Sequence, residues 1–295
     1  MRPIRSHAYE RSLCPSTLSI EYDGLTFPVA VWGTDGDRPI LLLHGFPQEP
    51  ATWALVAQCL ARHGFQSFAP VQRGYAASTR PASAEGYTFG HFVGDAVGIA
   101  DALQLRYFDV AGFGMGGLQA WLLAASHSQR VRSLTALRFP HPAAFAEGVR
   151  TDLEQAFRWS KLHQQFGPSD MQERTATMLA DDAARLREFL VAADLPEPYL
   201  TRYVERLREP ATLKGAMSWE HAVILEELAT VPTVVTPTLY IWTDGPGLTR
   251  STAEAAKLYV EAPYHQAFVP DVGNFILETS PRSVIDLMLP HLRAS

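Results

Sequence analysis

Four glycines in six residues, Gly112-Phe113-Gly114-Met115-Gly116-Gly117, constrain the fold of this chain more than any other stretch. An apolar run from Tyr107 to Ala111 leads into them, and a helix-like run from Leu118 leads out. Strand, very sharp turn and helix make up the layout of the G-x-S-x-G turn, whose middle residue sits at positive φ and projects its side chain from the bend. Gly112 and Gly116 let strand and helix approach closely around that point. The residue at the point is Gly114, which tolerates positive φ at little cost and relieves strain that a larger side chain would impose. The alternative is a plain glycine-rich βα turn of the phosphate-binding kind. Against it, no acidic ribose-binding position follows in the context that a dinucleotide fingerprint needs.

A chain of 295 residues suits one large α/β domain with room for an insertion. The net charge of −6, with no basic tract and no interleaved aromatic patch, argues against nucleic acid as a partner. Cys14 and Cys59 form no metal-ligand or redox spacing, so neither a metal nor another cofactor is expected, nor a disulfide framework. Met1 to Ser12 is polar with mixed charge, and no apolar run is long enough to span a bilayer. The expectation is a cytoplasmic protein without a membrane partner. Assembly into a homo-oligomer is left open.

Read in order, residues 1–16 form an arm with little structural signal. Leu18–Tyr22 and Thr26–Trp32 have strand character on either side of Asp23-Gly24, a hairpin signal. Ile40–Leu43 is a continuous apolar run, as in a strand covered on both faces; it ends at His44-Gly45-Phe46-Pro47. A helix over Trp53–His63, a strand over Gln66–Pro70 and a helix over Phe89–Leu103 precede the glycine turn. The strand Val131–Phe139 follows the next helix and ends at Pro140-His141-Pro142. From about Ala143 to Thr230 there is no clear strand. The segments 150–166, 170–192, 197–208 and 212–228 read as helices, punctuated by Pro168, Pro196, Pro198 and Pro210. The alternation resumes with Thr238–Trp242, a helix over Ser251–Val260, the strand Gln266–Val269 and a last helix over Pro281–Leu292. This order predicts a mostly parallel sheet, residues 1–142 and 231–295, under a helical cap, residues 143–230. Ligands in such sheets bind beyond the carboxyl ends of the strands, where the glycine turn, the His44–Gln48 loop, His141 and the loop after Trp242 all fall.

Several motifs in this order carry a resemblance: His44-Gly45-Phe46-Pro47-Gln48, Gln72-Arg73-Gly74-Tyr75, the glycine turn, Pro140-His141-Pro142 with Phe145, and Ser218-Trp219-Glu220. Over residues 18–292 the chain resembles the α/β-hydrolase superfamily, and within it the epoxide hydrolase and haloalkane dehalogenase-like branch. The resemblance implies an eight-stranded, mostly parallel sheet with a helical cap inserted after the sixth strand. It also implies an aspartate at the turn that attacks carbon, where this chain has Gly114. The catalytic histidine of the branch matches Asn274, in Asp271-Val272-Gly273-Asn274-Phe275. The acid that orients the histidine matches Pro246, with Asp244 as an out-of-register substitute. Of the two cap tyrosines that hold the epoxide oxygen, the second matches Glu220 and the first matches Trp159.

Gly114 has no side chain to attack with, and an amide such as Asn274 is not a base near neutral pH. The pattern therefore predicts a degenerate catalytic triad and no covalent intermediate. What remains is an oxyanion hole from the backbone N–H groups of Phe46 and Met115. Glu220 beneath the cap is a candidate general acid or base, because burial raises a carboxyl pKa. The competing reading places Glu220 on the solvated helix face or pairs it with an arginine or with His221. Gln48, His141, Trp159, Tyr199, Tyr203 and Trp219 are candidates for binding the substrate; His141 and the tyrosines read equally as packing residues. His44 is expected to brace its loop without moving protons.

Three functions follow. The first is a non-hydrolytic enzyme that promotes cyclisation, elimination or isomerisation of an apolar small molecule such as a polyketide-like biosynthetic intermediate. The second is a protein that binds a small molecule without changing it. The third is residual hydrolysis of an epoxide or ester by directly activated water.

Overall fold

Apolar runs without polar alternation become the middle of a sheet. In the computed structural model, which describes residues 15–166 and 170–295, eight strands form one sheet in the order β1-β2-β4-β3-β5-β6-β7-β8. The hairpin β1 (Ser16–Tyr22) and β2 (Leu25–Trp32) turns at Asp23-Gly24, and β2 runs antiparallel to β4 (Phe65–Pro70). β3 (Arg38–Leu43), β4, β5 (Phe108–Phe113), β6 (Val131–Leu137), β7 (Thr238–Thr243) and β8 (Tyr264–Val269) are parallel. Every residue of β5 and β7 is buried, as expected of strands packed on both faces. The arm read at the N-terminus, with Cys14, lies outside the described residues as far as residue 14, and Pro168 lies outside them too.

Helices join the parallel strands: α1 (Ala54–Ala61), α2 (Phe89–Ala102) and α3 (Met115–Ser126) follow β3, β4 and β5. Between β6 and β7 run α4 (Pro142–Thr151), α5 (Leu153–Phe166), α6 (Met171–Ala192), α7 (Glu197–Leu207), α8 (Pro210–His221) and the short α9 (Leu225–Ala229). α10 (Arg250–Ala255) follows β7, and α11 (Ile276–Thr279) and α12 (Pro281–Ala294) follow β8. Among the described residues no helix is long and apolar enough to cross a membrane.

Three helical segments are more broken than the sequence pattern implies. Asp152 is extended and separates α4 from α5, with its side chain accepting from the Glu154 N–H at 2.9 Å. The segment read as one helix over 212–228 divides, because Ile224 is extended and starts α9. Ala180–Ala183 leave helical geometry inside α6. Short capping side chains and extended residues compete with helix continuation here, and an apolar period does not register them.

The cap is tied to the sheet by buried contacts from the core side. Trp219 of α8 stacks on Phe92 of α2, with ring centroids 3.8 Å apart and planes 1° from parallel. Its indole N–H donates to the Arg73 carbonyl at 2.7 Å. The Arg73 guanidinium is itself buried against Asp95 at 2.6 Å and reaches Asp23 at 2.9 Å, joining the first hairpin, α2 and the loop beneath the cap. On the other side Glu49, in the loop after β3, pairs with Arg206 at 2.8 Å and with Arg202, both on α7. These pairs fix where α7 and α8 stand over the carboxyl ends of the strands.

Candidate active site

The glycine turn has the shape its sequence implies. Gly114 sits at φ 55°, ψ −118° between β5 and α3, and its N–H donates to the Leu137 carbonyl at 3.0 Å. A Cβ on Gly112 would lie 2.0 Å from the Gly116 carbonyl oxygen, and one on Gly116 would lie 2.3 Å from that of Leu43. Only glycine allows strand, helix and β3 to meet so closely. A Cβ on Gly114 would meet nothing within 4 Å, because the bend opens onto a cavity of about 180 Å³ between sheet and cap.

The cavity wall is mostly apolar. Phe46, Phe113, Phe139 and Phe275 contribute from the core, and Phe145, Trp159, Leu162 and Phe189 from the cap. Its charged or polar side chains are Glu220, Arg138 and Asn274. The described lining contains no serine, cysteine, aspartate or histidine. Met115 lines the cavity as the first residue of α3, where a helix leaves its amides without an internal acceptor. Phe46 also lines it.

Glu220 faces inward from α8. The residue is half-buried and lines the cavity, and burial of its carboxyl pushes its pKa up to about 7. Among the described residues its side chain has no hydrogen-bond or ion-pair partner; the side chain of His221 lies outside them. Close by is the buried Tyr75 hydroxyl, which also has no hydrogen-bond partner among the described residues. Burial, and secondarily the Glu220 charge, hold the Tyr75 proton tightly.

The other candidates divide between the cavity and the framework. Trp159 lines the cavity, with its ring edge-on to Phe145 at 5.5 Å. Gln48 does not reach the cavity: its side-chain oxygen accepts from the Gly45 N–H at 3.1 Å and its amide donates to Glu278 at 2.9 Å. Tyr203 is drawn to the same carboxylate at 2.7 Å, as is Thr52 at 2.5 Å. A buried carboxylate needs several donors, and Glu278, whose pKa burial raises, gathers them away from the ligand space. Tyr199 packs half-buried against Tyr203 with ring centroids 6.2 Å apart. Trp219 is spent on Phe92 and Arg73.

His141 is fully buried, accepts from the Ala143 N–H at 3.2 Å to cap α4, and stacks on Tyr259 at 4.9 Å. Burial lowers its pKa to about 4, so it is neutral and acts as a packing and capping group. His44 is likewise neutral, its pKa lowered by burial to about 3. It accepts from the Gln72 N–H at 3.2 Å and braces the loop.

The loop after β7 carries Asp244 and Pro246 outward, both exposed, and presents Gly247 and Leu248 to the cavity. α5 holds it there: Arg158 donates to the carbonyls of Gly245 at 2.8 Å and Leu248 at 2.9 Å, and Gln155 to that of Gly247 at 3.0 Å. Asn274 faces the cavity and accepts from Arg138.

Arg138 is the site residue that the sequence reading missed. Leu137-Arg138-Phe139 reads as the end of a strand, yet β6 stops at Leu137 and Arg138 turns to φ 73°. Its N–H donates to the Ile241 carbonyl at 2.8 Å, and its carbonyl accepts from the Tyr240 hydroxyl at 3.2 Å. That left-handed step swings the guanidinium into the cavity. The one local signal was a charged residue at the carboxyl end of a central strand.

A family model described as alpha/beta hydrolase fold matches residues 38–257. The AB hydrolase superfamily protein YfhM of Bacillus subtilis is 27% identical over 93% of this chain and 96% of its own length. Epoxide hydrolase A of Mycobacterium tuberculosis is 24% identical over 94% and 97%. Among solved structures, an epoxide hydrolase from hot-environment metagenomes superposes with a TM-score of 0.82 at 23% identity, covering 94% of this chain and 98% of that one. A putative acyltransferase from Salmonella enterica gives the same TM-score of 0.82 at 23% identity, covering 95% of each chain. Two proteins with different chemistry in their names share this backbone, so the structural likeness speaks for the fold alone. With the family model matching well over half of its residues, the chain belongs to the alpha/beta hydrolase fold family.

Proposed function

We propose that the chain is an enzyme that works without a covalent intermediate, using Glu220 as acid and base on an apolar small molecule held between sheet and cap. The observation that carries this reading is the presence, in one cavity, of a turn without a side chain at Gly114 and a carboxyl group with a pKa near 7. In this reading the catalytic triad is degenerate. Gly114 supplies no nucleophile, Asn274 accepts no proton, and neither Pro246 nor the exposed Asp244 orients a base.

The surviving parts suit proton transfer. The Glu220 carboxylate removes a proton beside a carbonyl, the developing enolate is met by the Met115 amide, and the carboxylic acid so formed returns the proton at another atom. An isomerisation is complete at that point; an elimination or cyclisation departs from the same intermediate. General acid–base catalysis of this kind is worth roughly 10²–10⁴-fold, and a closed apolar cavity adds the benefit of holding a reactive conformer. A polyketide-like intermediate has the required carbonyl and apolar character.

A second reading has its own support, since several relatives are named epoxide hydrolases. In it Glu220 activates a water that attacks the substrate directly. Incubation of candidate epoxides, esters and polyketide-like carbonyl compounds in ¹⁸O water separates the two: label gained in the product sinks the non-hydrolytic reading, while an unlabelled rearranged product supports it. Unchanged compound recovered from a tight complex would favour binding without catalysis.

A further inference from the structure

The other arginines that reach toward the core are neutralised. Arg73 has Asp95 and Asp23, Arg38 has Asp109, and Arg206 has Glu49. Arg138 is half-buried, as Arg38 and Arg206 are, and has no carboxylate partner among the described residues. Its Nη1 donates to the Thr243 hydroxyl at 2.8 Å and carbonyl at 3.2 Å and to the Asp244 carbonyl at 3.1 Å, and its Nη2 to the Asn274 side-chain oxygen. All of these acceptors are neutral. A guanidinium has five N–H donors. Nε–H and the second Nη2 proton have no partner among the described residues, and these two donors make a fork that a carboxylate bridges with two parallel bonds.

Nothing nearby cancels the charge. Burial lowers the Arg138 pKa to about 10, which leaves it a cation at neutral pH. Tyr240, and after it the exposed Asp244 carboxylate, oppose that shift without reversing it. Glu220 shares the cavity without bonding to Arg138, and burial is what raises its pKa. An uncompensated buried charge is costly. The first turn of α3, opened by Met115 in the same cavity, adds to the positive potential. The rest of the wall is aromatic and aliphatic.

We infer that the cavity takes an apolar monocarboxylate, with its carboxylate on the open Nε–Nη2 edge of Arg138 and its hydrocarbon part against the aromatic wall. This rests on the reading of the cavity as the ligand site and narrows its substrate class. Arg138 is then the residue that selects acids over neutral molecules of the same shape. The hydrogen bonds to Thr243, Asp244 and Asn274 hold the guanidinium in position beforehand, so little rotamer entropy is lost on binding.

The test is calorimetric titration of the full chain at about pH 6, where Glu220 is mostly protonated and the ligands are carboxylates, with phenylacetate and hexanoate, each against its isosteric amide. The acids should bind about 10- to 100-fold more tightly than phenylacetamide and hexanamide, the range expected for charge-assisted hydrogen bonds. Arg138→Met should bring acid and amide to equal affinity, and Arg138→Lys should keep part of the preference. Equal affinity for acid and amide in the unaltered protein overturns the inference, as does no saturable binding of either acid by about 10 mM. A folded Arg138→Met protein that keeps the acid preference overturns it too. If that variant fails to fold, the unaltered protein and Arg138→Lys still decide. Turnover is not read here, so failure of Glu220 catalysis and failure of the carboxylate site are separate results.

Discussion

The Arg138 guanidinium donates to the side-chain oxygen of Asn274 at the floor of the cavity. The relationship explains why an amide suits position 274. Beside a fixed cation, an acceptor that never protonates is stable, whereas a histidine there would have to take up its proton against a like charge. It also sets the amide orientation, with oxygen toward Arg138. The amide at 274 and the cation beside it thus form one local arrangement.

Turnover of an identified substrate should follow the Glu220 carboxylate. As a general base it is active when ionised, so kcat/KM should rise with pH through about 7 and then level. Glu220→Gln should lower kcat by roughly 10²–10⁴-fold. Initial rates over a pH series for both proteins check this, and an unchanged kcat in the variant removes Glu220 from the chemistry.

Stability should carry the same signature with opposite sense. The folded protein holds the Glu220 proton more tightly than the unfolded chain does, from the ordinary 4.5 up to about 7. Between those values the native state binds more protons, so this group's contribution falls as pH rises. The full penalty, on the order of 3 kcal/mol, is present above about 7. Urea unfolding across pH should show Glu220→Gln gaining on the unaltered protein through that window, then running parallel to it. A pH-independent difference would contradict the buried carboxyl.

A hydroxyl placed at the turn should not by itself act as a nucleophile. Gly114→Ser meets no steric obstacle on the cavity side but must adopt φ 55°, at a cost of about 1–2 kcal/mol. With Asn274 unable to take the proton, the serine should resist a fluorophosphonate probe, and adding Asn274→His should give no more than slow labelling, because Arg138 opposes a proton there. Intact-mass spectrometry reads both, and rapid labelling of the single variant would show another base at work.

Tyr203 should behave as a framework residue. Its hydroxyl donates to buried Glu278 at 2.7 Å, so Tyr203→Phe removes one of the donors that compensate that carboxylate. The expected loss is about 1–3 kcal/mol of stability, with ligand affinity in the cavity unchanged. Chemical denaturation beside the acid titration distinguishes this from a binding role, for which affinity would fall and stability hold.

The alternation of strands and helices along the chain, the site of the helical insertion and the turn at Gly114 were all legible because each is written in local pattern. Ile40–Leu43 reads as a buried strand from its own composition, and Gly112 and Gly116 announce a close approach before any partner is known. The inward face of Glu220 was legible only through resemblance, since a helix period fixes which residues share a face but not what the face meets. Gln48 and Tyr203 looked like ligand groups because both are polar residues near the strand ends. Glu278, about 230 residues from one and 75 from the other in sequence, claimed them both.

By itself, then, the sequence determined the scaffold and the absence of a side chain at its sharpest bend, because sterics and hydrophobic period act over a few residues. Only the tertiary structure decided which charges enter the cavity. The left-handed turn at Arg138 is held by Ile241 and Tyr240 on a neighbouring strand. The proton on Glu220 is held by burial under a cap whose seat is Phe92 and Arg73. Those effects depend on desolvation by residues distant in the chain, which no local pattern encodes.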